Sequence, residues 1–436
     1  MLVNKKIFCN TPWYELHIYW DGSFGICCQE SHKLYPESNS TYNIKTMPIM
    51  DWFNSQPVRD FRTKILGDSE ISECKRCYIE EQHSGVSRRL RSNQKSVIFM
   101  KSAFETSFAQ SPGFRHFEYS KTNNGETTTF PIDLHIDLGN FCNLACKMCN
   151  AQASSTIASQ HVKWGITEDK KYLGQDWTKD PVVWDNFKQQ LVSIPGLNNI
   201  HFMGGETLLT DQLEDIVDTM LAAKRFDICF SFVSNGTVFK PGLINKLKQF
   251  RRVGFEISIE TVDGRNSYIR QGTNTQTVLK NIEMYARECN NTSVTLSLRP
   301  APSLLSVGSY IDLLSFAMAN NLIVKSNLCY EPRFLSINML PKDVKSVHAQ
   351  QYRKFIDSVT VKSLGDYNAS DPNNCAEIIR DQAAMCLSLL ETDSPLDIDH
   401  QHQQLVEHCK KWDQVYKLNA RELYPELVTI WDKHGY

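Results

Sequence analysis

Three cysteines in one short stretch constrain this 436-residue chain more than any other feature. Cys142, Cys146 and Cys149 are spaced C-x3-C-x2-C in the segment FCNLACKMCN, just after the alternating apolar and polar segment 132–138. The alternation predicts a strand that runs into a loop. Three thiolates in one loop can bind three irons of a cubane 4Fe–4S cluster. Because full ligation takes four cysteines, one iron would stay open to an exogenous ligand.

Two other interpretations of these cysteines stay open at this point. The spacing i, i+4, i+7 is also one face of a helix, on which free cysteines pack as small hydrophobic residues. Structural zinc is the second alternative, although a zinc site takes four ligands that usually come in pairs.

The composition is that of an ordinary globular protein. With 41% hydrophobic residues, 22% charged residues and a net charge of −2, the chain has no overall attraction to nucleic acid or anionic membranes. No segment is apolar for long enough to span a membrane, and the first twenty residues do not match a signal peptide. Fourteen cysteines without an export signal predict a cytoplasmic protein with metal or redox chemistry. We expect no membrane partner and no specific nucleic acid.

A second group of cysteines lies near the N-terminus. Cys9 and Cys27 belong to the pattern C-x12-G-x4-C, and Cys74 and Cys77 form a C-x2-C pair. An Asp-Gly pair at 21–22 separates two alternating segments and predicts a β-hairpin. Four cysteines in two pairs fit a closed, fully ligated metal site, which is either an iron–sulfur cluster or a zinc ribbon.

Three nearby features have simpler interpretations. Cys28 adjoins Cys27 and could replace it as a ligand, but a buried thiol is favoured. The basic run SRRLR at 87–91 predicts a solvated helix face or linker, and contact with an anionic or polar substrate is the alternative. Residues 107–130 are rich in Ser, Thr, Asn and Gly and indicate a connection between domains.

Residues 131–330 alternate apolar strands with helical segments. The predicted strands are 132–138, 199–203, 227–234, 254–260, 293–299 and 322–328, and the predicted helices are 180–193, 209–224, 240–252, 275–288 and 308–320. Repeated strand–helix units predict a parallel sheet. Polar residues such as Asp133, His135, Glu256 and Arg299 alternate along four strands, whereas parallel strands buried on both faces are continuously apolar. We therefore expect an open barrel with a polar interior; an antiparallel sheet with one solvated face is the alternative.

The motif C-x3-C-x2-C after a first strand resembles the signature of the radical S-adenosylmethionine (SAM) enzymes. In that family the open iron binds the amino and carboxylate groups of SAM. An electron from the cluster cleaves SAM to a 5′-deoxyadenosyl radical, which abstracts hydrogen from a substrate. Met148 stands where the family often has an aromatic residue, and a branch of the family has methionine there.

The resemblance continues at the ends of the second and third strands. Gly204, Gly205 and Glu206 resemble the family's GGE motif, whose backbone and carboxylate receive the ammonium group of SAM. Glycine is expected there because the backbone must approach closely. Ser234 and Asn235 resemble the segment that contacts the ribose. A plain turn is the alternative for both segments.

The end of the fourth strand also resembles the family. Ser258, Glu260 and Arg270 match a pattern in which the serine and a downstream arginine meet the carboxylate of SAM, with Glu260 in a position where aspartate is usual. Arginine suits that role because it binds a carboxylate with two hydrogen bonds. Arg299, on the same inward face, is a second candidate for the carboxylate.

The N-terminal cysteine pattern resembles the SPASM/twitch module of radical SAM enzymes, which carries auxiliary 4Fe–4S clusters. The reduced second half of the pattern indicates the twitch form, with one cluster held by Cys9, Cys27, Cys74 and Cys77. In most relatives this module follows the barrel, whereas here it precedes the barrel.

These patterns predict an α/β protein whose core is a partial (β/α)6 radical SAM barrel at 131–330. A twitch-like α+β domain at 1–100 and a linker at 101–130 precede the barrel, and a helical C-terminal region at 331–436 follows it.

The resemblance implies an enzyme that reductively cleaves SAM and abstracts hydrogen from a substrate. It also implies two 4Fe–4S clusters, SAM, and an electron donor such as flavodoxin or ferredoxin. A peptide or protein undergoing maturation is the expected substrate, and a small polar metabolite is the alternative. A non-enzymatic iron–sulfur or zinc-binding scaffold is the competing hypothesis from another class.

Overall fold

The computed structural model describes residues 6–30, 33–36, 40–67, 69–84, 87–99, 112–174, 176–359 and 375–436. The strands are β1 (Glu15–Ile18), β2 (Phe24–Gly25), β3 (Asp133–Asp137), β4 (Ala145–Cys146), β5 (Asn199–Met203), β6 (Cys229–Ser234), β7 (Arg252–Ile257), β8 (Arg270–Gln271), β9 (Val294–Leu298) and β10 (Ile323–Val324).

Helices precede, connect and follow these strands. They are α1 (Ile49–Phe53), α2 (Gln56–Ile65), α3 (Lys75–Ser84), α4 (Arg88–Phe99), α5 (Pro112–Thr122), α6 (Ser155–Lys163), α7 (Pro181–Ser193), α8 (Gln212–Ala222), α9 (Pro241–Leu247), α10 (Gly264–Ile269), α11 (Thr275–Cys289), α12 (Val307–Ala319), α13 (Lys342–Ser358), α14 (Cys375–Glu391), α15 (Ile398–Tyr416), α16 (Ala420–Leu423) and α17 (Val428–Lys433). Among the helices that the structure describes, none has the length and hydropathy needed to cross a membrane.

The chain packs as two compact units. The first comprises Met1–Phe141, Ile166–Phe232 and Gln249–Val253, and the second comprises Cys142–Gly165, Val233–Lys248 and Gly254–Tyr436. Strands β6 and β7 each contribute residues to both units. The domain boundaries proposed from the sequence stay predictions.

In the first unit the strand order is β2-β1-β3-β5-β6. The predicted hairpin forms: β1 pairs antiparallel with β2, and Gly22 occupies the turn at φ +83°. On its other side β1 pairs in parallel with β3, so the N-terminal segment supplies a strand to the parallel sheet. Strand β3 is parallel to β5, and β5 is parallel to β6.

The alternation along these strands has a structural cause. One face carries apolar side chains that are fully or almost fully buried: Leu134, Ile136, Ile200, Phe202, Phe230 and Phe232. Burying each such side chain contributes about 1.5 to 3 kcal/mol. The opposite face carries the polar positions of the same strands, which include His17, His135 and His201.

In the second unit the strand order is β6-β7-β9-β10, and β9 and β10 are parallel. A separate two-stranded sheet joins β4 to β8 in antiparallel pairing. The parallel pairs in both units confirm the predicted parallel α/β architecture, and the antiparallel alternative is wrong.

Several predicted bounds differ from the structure. Strand β7 begins at Arg252, inside the predicted helix 240–252, because α9 ends at Leu247. The last predicted strand shortens to the two residues of β10. Residues 100–111 lie outside the described residues, but the later part of the predicted connection forms helix α5. Phe117 in α5 packs edge-on against Phe8 and Trp13, with ring centroids 5.1 and 4.9 Å apart.

The C-terminal region is helical, as predicted, from α13 to α17. Cys386 and Cys409 are fully buried in α14 and α15.

Candidate functional site

The three closely spaced cysteines lie in a loop of the second unit. Residues 142–150, all of them described, contain the short strand β4 and turns but no helix, so the helix-face interpretation is wrong. Strand β4 pairs Cys146 with Arg270 and Ala145 with Gln271 of β8. This pairing fixes the middle of the cysteine loop, and the sequence did not predict it.

The thiols of the loop interact electrostatically. Burial raises the pKa of the Cys146 thiol to about 12, the Arg270 cation opposes this rise, and the thiolates of Cys149 and Cys142 add to it. Thiolates that raise one another's pKa need a positive partner in order to ionise together. The donor set therefore fits a cationic iron cluster held by these three side chains.

Arg270 connects this loop to Glu260. Its Nε and Nη2 donate to Glu260 Oε1 at 2.9 and 2.6 Å, and its Nη1 lies 3.8 Å from the sulfur of Cys146. Glu260 is completely buried, and its second oxygen accepts a hydrogen bond from the backbone N–H of Ala301 at 2.7 Å. Both residues were predicted site residues. The structure shows that they pair with each other and that the arginine faces Cys146.

The turn that follows β6 also contacts the cysteine loop. Asn235 Nδ2 donates to Asn143 Oδ1 at 2.8 Å, and Asn143 Nδ2 donates to Thr237 Oγ1 at 3.2 Å. Ser234 Oγ accepts from the Gly236 N–H at 3.0 Å and closes the turn. The predicted residues Ser234 and Asn235 thus lie beside the stretch between Cys142 and Cys146.

The other two predicted residues of this unit each follow a strand: Ser258 comes directly after β7, and Arg299 comes directly after β9. The Ser258 N–H donates to the Ser234 carbonyl at 2.8 Å. Arg299 donates to Glu256 Oε2, and Lys325 Nζ donates to Glu256 Oε1 at 2.9 Å. Burial acts to raise the pKa of Glu256, but Arg299 and Lys325 outweigh burial and hold the pKa at about 2. The charge of Arg299 is therefore already offset by a carboxylate.

The Gly204-Gly205-Glu206 segment belongs to the first unit. Gly204 and Gly205 have φ of +90° and +51°, and a Cβ on them would lie 2.4 Å from Gly139 O and 2.1 Å from Phe141 O. Glycine is therefore required because this turn packs on backbone 139–141, which leads into Cys142. The sequence had predicted a close backbone approach at these glycines but not the segment that they contact. The N–H of Glu206 donates to Phe141 O at 2.8 Å. Its side chain is 2% exposed, and Oε1 accepts from Leu208 N–H at 3.0 Å.

Two residues that hold the cysteine loop were not predicted. Trp412 Nε1 in α15 donates to the Ala145 carbonyl at 3.0 Å. Lys147 is fully buried, and its ammonium lies 3.9 Å from the ring centroid of Tyr268 and 5.5 Å from that of Trp412. Burial lowers the pKa of Lys147 to about 8. No sequence pattern pairs a tryptophan near the C-terminus with this loop, because the contact is purely tertiary.

The four N-terminal cysteines converge on one cavity of the first unit. Cys9, Cys27, Cys74 and Cys77 all line it. Cys9 precedes a 3-10 turn, Cys27 follows β2, Cys74 ends a 3-10 turn and Cys77 lies in α3. Elements that are distant in sequence therefore bring the two predicted pairs together, and the donor set fits a fully ligated cluster.

The cavity is buried, and its thiols interact. Burial raises the pKa of Cys9 to about 11, a hydrogen bond to Thr11 opposes the rise, and the charges of Glu15 and Cys77 add to it. Burial also raises the pKa of Cys74, and Cys9 and Cys77 add to that rise.

The basic run at 87–91 was expected to form a solvated face, and this prediction is wrong. Arg88 and Arg89 line the cysteine cavity. Arg89 is 3% exposed, donates from Nε to Glu81 Oε1 at 2.9 Å and from Nη1 to the Phe8 carbonyl at 2.8 Å. Arg88 forms an ion pair with Glu15. The position of two adjacent arginines shortly after a C-x2-C pair could have predicted that they lie near the cysteines, but the prediction from sequence did not use it.

Cys28 does not line this cavity, whereas Cys27 does. Burial raises the pKa of Cys28, Arg88 lowers it, and the charges of Glu15 and Asp137 raise it further. Its thiol thus responds to charges on β1 and β3, which agrees with the preference for Cys27 in the four-cysteine set.

Comparisons with known proteins agree with this division into two cysteine sites. Residues 136–300 match the model of the radical SAM superfamily, and residues 9–78 match the model of the SPASM iron–sulfur cluster-binding domain. No curated protein matches the chain.

Solved structures match at low similarity. SuiB of Streptococcus suis bound to S-adenosylmethionine is 12% identical over 68% of this chain and 66% of its own, with a TM-score of 0.34. SuiB bound to the precursor peptide SuiA is 12% identical over 68% and 65%, with a TM-score of 0.34. Native anSMEcpe with bound AdoMet and Cp18Cys peptide is 13% identical over 52% and 60%, with a TM-score of 0.35. The chain thus spans two thirds or less of the length of these proteins.

The two family matches carry the assignment of cofactors. The first implies a 4Fe–4S cluster and SAM, and the second implies an auxiliary 4Fe–4S cluster. Residues 136–300 therefore form a radical SAM domain, and an iron–sulfur domain of the SPASM type precedes it at residues 9–78.

Proposed function

We propose that this protein cleaves SAM reductively at a cluster held by Cys142, Cys146 and Cys149, and that the resulting radical abstracts hydrogen from a peptide or protein undergoing maturation. The observation that carries the proposal is the cysteine loop, in which three thiols interact and Arg270, paired with Glu260, faces the sulfur of Cys146. When bound, a three-cysteine 4Fe–4S cluster supplies the electron for cleavage and one open iron for SAM.

Arg270 and Glu260 are proposed to set the charge of this site. The two hydrogen bonds to Glu260 fix the plane of the guanidinium, and its Nη1 then faces the Cys146 sulfur. A cation beside a thiolate stabilises the ionised ligand and lowers the negative charge at the site. Because Glu260 is itself anchored by the Ala301 N–H, the arginine is held by a rigid partner.

The remaining predicted residues are proposed to bind SAM. Glu206 would attract the ammonium group, and Gly204 and Gly205 would present the backbone of the same turn. Ser234 and Asn235 lie beside the cysteine loop and would contact the ribose. Ser258 and Arg299 are candidates for the carboxylate of SAM together with Arg270, although Arg299 must then share its charge with Glu256.

Cys9, Cys27, Cys74 and Cys77 are proposed to hold the auxiliary cluster. Four thiolates close the site, so this cluster is not expected to bind SAM. Arg88 and Arg89 offset part of the negative charge of four thiolates, which favours a redox-active centre. Its proposed role is to accept an electron from the product radical or to anchor the substrate. Zinc is the alternative occupant of the same ligands.

The substrate class rests on the resemblance of the N-terminal module to SPASM/twitch domains, whose enzymes often modify peptides. An electron donor such as flavodoxin or ferredoxin completes the proposal. A small polar metabolite is the second candidate, favoured by a charged cluster in which Arg299 and Lys325 pair with Glu256 of β7.

The test is SAM cleavage by the anaerobically reconstituted protein under dithionite, measured as 5′-deoxyadenosine by mass spectrometry. The wild-type protein should produce it, and the Cys142→Ala/Cys146→Ala/Cys149→Ala variant should not. Cys229→Ala, which changes a cysteine of β6 outside both sites, is the matched control and should behave as wild type. Production of 5′-deoxyadenosine by the triple variant would overturn the proposal, and none from the wild-type protein would favour a scaffold.

A further inference from the structure

Three histidines form a row across the parallel sheet of the first unit. His17 on β1 is the register partner of His135 on β3, and His135 is the register partner of His201 on β5. The ring centroids are 4.5 Å apart for the first pair and 4.6 Å apart for the second. Because parallel strands place register partners side by side on one face, the three imidazoles lie against one another.

Asp137 joins this row from the same face of β3, two residues after His135. Its Oδ1 lies 3.3 Å from Nε2 of His17 and 4.0 Å from Nε2 of His135. One ligand atom of each of the three residues lies within 4.8 Å of the other two. A metal with bonds of about 2.0 to 2.2 Å separates neighbouring ligand atoms by roughly 3 to 3.6 Å. The pair of His17 and Asp137 already has this separation, and the other pairs must close by up to roughly 1.2 Å for the three side chains to bind one ion.

The burial of His17 points to a missing partner. The residue is 4% exposed, and in the described part of the chain neither of its ring nitrogens makes a hydrogen bond, although Nε2 lies 3.3 Å from Asp137 Oδ1. Buried polar side chains are normally hydrogen-bonded, and an exception calls for an explanation such as an ion. A protonated His17 paired with Asp137 alone is the other explanation, and the experiment below separates the two.

The surroundings suit a cation. The ring centroid of Tyr19 lies 4.0 Å from that of His17, and the Tyr19 hydroxyl donates to Glu30 at 2.7 Å. Glu30 thus adds a second carboxylate near His17. His201 has a different part: its Nδ1 lies 2.7 Å from Ser231 Oγ, so the ring is oriented by a hydroxyl next to His135.

We propose that His17, His135 and Asp137 bind one divalent first-row transition-metal ion such as Zn²⁺ or Fe²⁺. Two imidazole nitrogens and one carboxylate oxygen match the ligand preferences of these ions. Three protein ligands leave at least one position open for water or for a nitrogen or oxygen atom of a substrate. The site contains no cysteine and is distinct from both iron–sulfur sites, so the inference does not depend on the proposed function.

The test is calorimetric titration of Zn²⁺ into the reconstituted protein with both iron–sulfur sites loaded, followed by zinc X-ray absorption. The wild-type protein should bind one equivalent, with nitrogen and oxygen neighbours around the zinc. His17→Gln, His135→Gln and Asp137→Asn should each weaken binding at least about tenfold, because each removes one of three ligands. His201→Gln, which changes the neighbouring histidine of the same row, is the matched control and should stay within about threefold of wild type.

Iron content and melting temperature show which variants fold. If a variant fails to fold, the first coordination shell of the wild-type protein decides the question. Sulfur neighbours around the zinc, no binding at all, or affinities unchanged in the folded ligand variants would each overturn the proposal. No binding would also favour the ion pair between protonated His17 and Asp137.

Discussion

The two cysteine sites gather their ligands from the sequence in different ways. The loop site takes Cys142, Cys146 and Cys149 from eight consecutive residues of the second unit. The cavity site takes four cysteines from elements spread between Cys9 and Cys77 in the first unit. Three ligands from one loop leave a coordination position open, whereas four ligands that converge from all sides close the site. The difference predicts that only the loop site binds SAM.

Arginine side chains lie at both sites, one at the loop and two at the cavity, and each pairs with a different carboxylate. At the loop, Arg270 takes two hydrogen bonds to the buried Glu260 and faces one sulfur. At the cavity, Arg88 pairs with Glu15 and Arg89 pairs with Glu81. Each arginine is thus paired with a carboxylate, so positive charge lies near the thiols while the charge of the arginine is itself offset.

The largest expected effect separates the two sites by their iron. Wild-type protein should hold about eight irons, and Cys74→Ala/Cys77→Ala should hold about half of that number. Because the loop site is untouched, this variant should still produce 5′-deoxyadenosine, at least in part, but should not form the substrate product. Iron analysis and product assays measure both effects. Loss of SAM cleavage together with loss of product would mean that the two sites do not act separately.

The second effect concerns Arg270. Arg270→Gln removes the cation opposite Cys146 and leaves the buried Glu260 charge without its partner. A hydrogen bond to a charged group contributes about 1.5 to 3 kcal/mol. The rate of SAM cleavage should therefore fall roughly tenfold to a hundredfold. Arg299→Gln is the matched control, since Arg299 pairs with Glu256 away from the thiols, and should have a smaller effect. If the two variants lost SAM cleavage to the same extent, Arg270 would have no special role at the cysteine loop.

The third effect is a loss of SAM affinity without loss of iron, and it concerns Glu206. Glu206→Gln keeps an oxygen that can accept from the Leu208 N–H, so the turn should stay intact while the charge for the SAM ammonium is lost. We expect SAM affinity to fall about tenfold, or about 1.4 kcal/mol, with unchanged iron content. Equilibrium binding of SAM measures it. Unchanged affinity would identify Gly204-Gly205-Glu206 as a structural turn.

The smallest effect concerns the support of the loop. Trp412→Phe keeps the ring beside Lys147 but loses the hydrogen bond to Ala145 O, which should cost about 1 kcal/mol of stability. The loop cluster should lose iron faster to a chelator, while the cavity cluster should lose it at the wild-type rate. Time courses of iron release follow both populations. Equal acceleration at both sites would contradict a local role for Trp412.

The sequence predicted the elements better than their partners. Alternation along 132–138 and 199–203 identified two strands within a residue or two, because side-chain period is a local property. The pairing of β1 with β3 and of β4 with β8 is set by tertiary packing and carries no local signal. The short spacing of Cys142, Cys146 and Cys149 was enough to predict one site. The position of Cys9 beside Cys77 depends on how the residues between them fold, so the spacing alone could not show it.

One interpretation failed for a physical reason. A run of arginines is usually solvated, but Arg88 and Arg89 pair with the half-buried carboxylates of Glu15 and Glu81, which no local pattern reveals. His135 was recognised from the sequence as a polar strand position, but the sequence could not place His17 beside it, because the pairing of β1 with β3 carries no local signal.

The most direct test of the open and closed sites is electron paramagnetic resonance of the reduced protein with and without SAM. In Cys74→Ala/Cys77→Ala the remaining cluster signal should change when SAM is added, because its open iron becomes ligated. In Cys142→Ala/Cys146→Ala/Cys149→Ala the remaining signal should be the same with and without SAM. A SAM-dependent change in the triple variant, or no change in the double variant, would contradict the account.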